Sequence, residues 1–193
     1  VLAIITWVII LLTPIQASAV TWGKILTGLQ ASDTFTDGET TATRTSEGEY
    51  VISGDPISGG QIEELVEVSK LQFSDSLKVL FQDIKIGQLN ADADNGKTIV
   101  IILGRGSEVT DRVIVTAEGK DTNLSLTNKG KMRALNADAY DQAQAAIKNN
   151  GEIVGMVNRA HGEGSRLEFV NDKEGRTAEG MSNEAEIKGE VVF

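Results

Sequence analysis

The chain has 193 residues, no cysteine, and 28 acidic against 18 basic side chains for a formal net charge of −10. That length supports one domain with a core that needs no covalent staples, and the missing thiols exclude disulfides, thiolate-held zinc or iron–sulfur centres and cysteine nucleophiles. The acidity disfavours nucleic acid and anionic membrane surfaces as partners, and an aromatic content of 5% weighs against sugar platforms and against the aromatic girdles of membrane barrels.

Residues 1–12 form an uncharged apolar run with Thr6 as its one clearly polar residue. At ~1.5 Å per residue the run is too short for a hydrocarbon layer of ~30 Å, and Pro14 interrupts any longer helix. Small Ala17 and Ala19 around Ser18 suit a signal-peptidase cut, so 1–19 is expected to be a secretory signal, or a hydrophobic anchor where it is retained. Neither a Met nor a basic stretch precedes the run, so the sequence is expected to begin inside a precursor. The protein is accordingly expected to be secreted, periplasmic or at the cell surface, and to meet a membrane only if this segment stays.

Residues 20–60 are rich in Thr, Ser, Gly and acid and read as a polar arm with edge strands. A single globular domain is expected over 61–193. In 61–70, Ile62, Leu65 and Val66 fall on one helical face opposite Glu63, Glu64 and Glu67. In 74–81, Ser74 can cap a helix carrying Leu77, Leu80 and Phe81. Helices are expected in both.

Two hairpins are expected next, one turning at Asn95-Gly96 and one at Glu118-Gly119-Lys120. The stretch "TIVIIL" at 98–103 is apolar throughout, which suits a strand covered on both faces. A third helix is expected over 136–147, with Asn136 as its cap, Leu135 and Tyr140 as a hydrophobic staple, and Tyr140, Ala143 and Ile147 on its apolar face. Strands are expected in "EIVGMV", "RLEFV" and "AEIKGEVVF". The order gives α+β, predominantly antiparallel β with two or three helices. No repeat of fixed period stands out.

Three stretches could carry chemistry. Asn90, Asp92 and Asp94 alternate as the first oxygens of a calcium loop do, but Asn95 stands where that loop needs Gly and Ile101 where it needs Glu, so a plain turn is favoured over a calcium site. The glycines of "ILGRGSEV" lack the third glycine and following helix of a phosphate loop and read as a turn between strands. His161, the sole histidine, neighbours Glu163 and Ser165, residue types a serine hydrolase uses, without the nucleophile-elbow pattern. The chain is therefore expected to be a non-catalytic structural or assembly protein of the envelope, associating with itself or with other envelope proteins by strand addition. The alternatives are an extracytoplasmic binding module, calcium-dependent through Asp92 and Asp94, and a hydrolase using His161.

Overall fold

The computed structural model describes residues 19–55, 60–71, 75–171, 176–177, 181–186 and 190–192, the last three segments as backbone. The expected leader and its processing site therefore lie outside the described residues, apart from Ala19. Helix α1 (Trp22–Ala31) is followed by β1 (Thr34–Asp37), β2 (Thr40–Arg44), β3 (Glu49–Ser53) and β4 (Gln61–Glu67), the last running into a 3-10 turn at Val68–Leu71. Then come β5 (Ser76–Gln82), β6 (Lys85–Asp94), β7 (Thr98–Leu103), β8 (Glu108–Glu118), β9 (Asn123–Asn128) and β10 (Lys131–Tyr140). The chain continues through β11 (Gln144–Asn149), β12 (Glu152–His161), β13 (Arg166–Asn171), β14 (Arg176–Thr177), β15 (Met181–Glu186) and β16 (Glu190–Val192).

These strands build two facing sheets. One has nine strands in the order β1-β2-β3-β5-β7-β9-β11-β13-β16; the other has seven, β14-β12-β10-β8-β6-β4 with β15 also on β12. From β3 onward every pairing is parallel. The chain thus alternates between sheets and climbs one rung per circuit, a two-sheet parallel β-solenoid. Ser76, Thr98, Asn123, Gln144, Arg166 and Glu190 are register equivalents, at spacings of 22, 25, 21, 22 and 24 residues. The repeat exists, but its length drifts with the turns.

This architecture overturns the α+β expectation. The only α-helix among the described residues is α1, inside the segment read as a polar arm, and the segments expected as helices at 61–70, 74–81 and 136–147 are mostly strand. Asn95 and Gly96 do turn the chain with positive φ (52° and 76°), but β6 and β7 on either side belong to different sheets. The same is true of β8 and β9, so neither expected hairpin is one. In the third expected helix, Asp141 and Gln142 adopt φ of 49° and 69°, which ends β10 and starts a new rung.

The core lies between the sheets and is filled by alternate residues of each strand, such as Ile99, Ile101 and Leu103 of β7 and Val113, Val115 and Ala117 of β8. Near the end of each long strand of the seven-stranded sheet an inward alanine recurs in register: Ala93, Ala117, Ala139 and Ala160; the backbone of Ala185 holds the next register position. The first four are buried. Pairing with the neighbouring rungs overrides alanine's helix preference in this buried column.

Polar ladders fix the register. Asn128 donates through Nδ2 to Asn149 Oδ1 (2.8 Å), and Asn149 donates to Asn171 Oδ1 (2.9 Å). Their oxygens also accept from Gly130 N (3.1 Å) and Gly151 N (3.2 Å), tying ladder to turn. Those turns stack so closely that a Cβ on Gly151 would stand 2.1 Å from Gly130 O. Along the start of the seven-stranded sheet, Lys85, Glu108, Lys131, Glu152 and Arg176 alternate in charge from rung to rung, an order that opposes slippage.

Helix α1 closes the first end of the stack. Thr21 Oγ1 accepts from Lys24 N (3.3 Å) as its N-cap, and Trp22, Ile25 and Leu29 are buried beneath it. Trp22 Nε1 donates to Glu67 O (3.2 Å), and Val20 N to Gln61 O (3.0 Å), so the helix covers the edge strand β4.

Candidate functional site

Polar side chains concentrate on the outer face of the seven-stranded sheet, toward the ends of its strands. Two register rows run across it: Asp92, Thr116, Asp138 and Arg159 in one, Asp94, Glu118, Tyr140 and His161 in the other. Strand alternation points all of them outward, opposite the alanine column. The residues singled out as a calcium loop and the sole histidine are thereby brought onto one face, with two strands between them.

The closest constellation joins β10 to β12. Tyr140 and His161 stack in parallel, ring centroids 4.3 Å apart and planes within 5°. His161 Nε2 lies 3.4 Å from Asp138 Oδ1, and Arg159 Nη1 lies 3.6 Å from the same oxygen. Asp138 is 8% exposed, so its carboxylate is largely withdrawn from water and shared between guanidinium and imidazole. An imidazole positioned by a carboxylate can bind an anion or move a proton when a reacting group is near.

The third member of a hydrolytic set is not assembled here. Ser165 is 2% exposed; its Oγ donates to the main-chain carbonyl of His161 (2.5 Å) and accepts from Gln142 N (3.1 Å). That hydroxyl clamps two turns together and does not face the imidazole ring. Glu163 sits exposed at the turn.

Asn90, Asp92 and Asp94 lie on β6, not in a loop. Alternate strand residues are ~6.8 Å apart along the backbone, and each side chain has local partners: Asn90 Nδ2 donates to Asp92 Oδ2 (3.1 Å), and Asp94 pairs with Lys97 (2.9 Å). Among the described residues no group of three or more His, Asp or Glu side chains is gathered closely enough to hold a metal ion. The glycines of "ILGRGSEV" form the corner between β7 and β8, beside a hollow of about 460 Å³ lined by Glu108, Lys129 and Lys131 together with Gly106, Gly130 and Gly151. A strand and not a helix follows, so the phosphate-loop geometry is absent at that corner.

Sequence reasoning missed Asp138 and Tyr140 because 136–147 reads as a helix, and Arg159 because it joins them only through the register of β12 on β10. A signal was present. "LNADAD" at 89–94 recurs as "LNADAY" at 135–140, two rungs later, and its two copies hold equivalent strand positions.

The chain matches no known family model, no curated protein and no solved structure. The functional reading therefore rests on the fold and this face alone.

Proposed function

We propose that the protein is a non-catalytic structural component of the cell envelope or its exterior, a rigid β-solenoid that associates with further copies of itself. The observation that carries this reading is how the polar side chains are used. Asparagine ladder, charge ladder and stacked turns are all directed at the next rung, and the Ser165 hydroxyl near His161 is engaged by main-chain groups. The leader expected at 1–19 supports an extracytoplasmic location. Among the described residues no helix is long and apolar enough to cross a membrane.

Sedimentation velocity of the full chain across a wide concentration range tests the association, and N-terminal sequencing of the protein recovered outside expressing cells tests the export. Concentration-dependent growth in mass and a start at Val20 are the expected results. A monomer at all concentrations removes the assembly role.

A second reading is a binding module acting through the outer face that holds Asp138, Arg159 and His161. Its motivation is the mixed charge of that face around a stacked aromatic pair. Ligand screening by thermal shift, with the Arg159→Ala variant as control, separates this reading from a purely structural one.

A further inference from the structure

The two outer faces of the solenoid differ in a way that assigns a role to one of them. The seven-stranded sheet presents charge along its strands: Asp92, Asp94, Asp111, Arg112, Glu118 and Arg133 are outward or exposed. Its pairings β4–β6, β6–β8 and β8–β10 each contain a register shift. The nine-stranded sheet is different. From β3 through β13 its pairings run without any shift.

Its middle carries no charge. The outward positions of β7 and β9 are Thr98, Val100, Ile102, Asn123, Ser125 and Thr127, in a chain whose net charge is −10. Val51, Leu80 and Ile102 stand in register as an apolar row, each half-buried. Flanking charges are of both signs: within the face Lys78 pairs with Glu49 (2.5 Å) and Arg166 with Glu168 (3.5 Å), and Lys148 of β11 stands in register with Thr127. The sequence of β7, apolar on both faces, suits a strand covered twice, yet only its inner face is covered.

We infer that a second copy of this chain covers the outer face of the nine-stranded sheet, the two copies meeting sheet to sheet through this regular, neutral surface. The inference deepens the self-association proposed above and rests on it. Size supports a second copy as the occupant. The 48 residues of its nine strands, at ~3.4 Å rise and ~4.8 Å spacing, offer about 800 Å² per copy, so a face-to-face pair buries about 1,600 Å², the extent of a standard stable interface. Electrostatics agree, since two chains of net charge −10 repel least through a face whose centre is uncharged and whose flanking charges nearly balance. In the nine-strand order the central strand is β7, so Val100 lies near its mate when the faces are superposed antiparallel or crossed.

The test is sedimentation of the full chain as wild type, as Val100→Glu with Thr127→Glu, and as Thr116→Glu, which adds charge to the other sheet. Dimers are expected for the wild type and for Thr116→Glu, and at least a tenfold loss of affinity for the double variant with unchanged circular dichroism. As a measurement that adds no charge, Val100→Cys in this cysteine-free chain is expected to give a covalent dimer with a short bis-maleimide, and Thr116→Cys none. Association that survives the double variant, or that gives no cross-link at Val100→Cys, overturns the surface while leaving self-association standing. A wild type that stays monomeric overturns both.

Discussion

Asn149 and Asn158 are both fully buried, yet replacing each by valine is expected to move stability in opposite directions. Asn149 takes a hydrogen bond from Asn128, gives one to Asn171 and takes another from Gly151 N. Valine there removes three bonds and deprives Asn128, Asn171 and Gly151 of one each, Asn128 being fully buried. At ~1 kcal/mol net per bond, and more where a partner is left unmatched, the loss is about 3 kcal/mol or greater. Asn158 faces the core from β12 with neither Oδ1 nor Nδ2 hydrogen-bonded. Val115 and Ala137 hold its register position in the two preceding rungs. Asn158→Val therefore removes a desolvated amide and is expected to gain about 1–2 kcal/mol. For a chain of this size each kcal/mol moves Tm by about 2–4 °C. Asn149→Val should thus melt about 6–12 °C below wild type and Asn158→Val a few degrees above it. Urea titrations should give the same signs through the midpoint at constant slope. A fall in stability for Asn158→Val would refute the reasoning, by showing that this amide has a partner inside the stack.

Other expectations follow from the turns, the cap and one buried phenol. Gly151→Ala forces a methyl against Gly130 O and should cost about 1–3 kcal/mol, whereas Gly155→Ala, whose methyl would meet Arg133 O at 3.9 Å, should fall within about 1 kcal/mol of wild type in the same denaturation assay. Trp22→Ala removes a buried indole and its bond to Glu67 O; a loss of about 3–5 kcal/mol is expected, with light scattering reporting aggregation through the uncovered edge. Burial of Tyr50 raises its phenol above the ordinary value, with Arg44 opposing the shift and Asp33 adding to it. The folded state therefore favours the neutral phenol. That contribution is complete below the unfolded value of about 10 and is lost as pH rises beyond it. Denaturation midpoints should decline less steeply above that pH for Tyr50→Phe than for wild type; parallel curves would remove the argument.

Strands such as β7, β8 and β9 are legible in their apolar or alternating residues and in turn residues such as Asn95-Gly96, because those signals are local, whereas β5 and the β10–β11 stretch fall where helices are expected. Parallel pairing is not legible, since it depends on which distant segment lies alongside. An Asn-Gly turn has the same sequence whether it folds a hairpin or steps the chain from one sheet to the other. Helical spacing at 61–70 was misleading: β4 places a bulge between Ile62 and Leu65, so the apolar residues fall three and four apart within a strand. The alanines of 136–147 favoured a helix by propensity, and only the neighbouring rungs explain why they sit in a strand. Helix α1 was missed although Thr21, Trp22, Ile25 and Leu29 form a capped amphipathic pattern, because the surrounding Thr- and acid-rich composition dominated the reading. At the candidate site, His161 could be singled out by its rarity. Its partners could not, because Asp138 and Tyr140 are 23 and 21 residues away and meet it only through the register of β10 on β12.

With one end sealed by α1 and β1–β3, the solenoid has a built-in starting point for folding. Once that end is closed, each later circuit finds a finished edge to pair with, and its partner strand is never more than 29 residues back along the chain. Growth in the order of synthesis or of export needs no wait for the last residue, and a rung laid out of register meets a wrong charge and an unmatched amide at once.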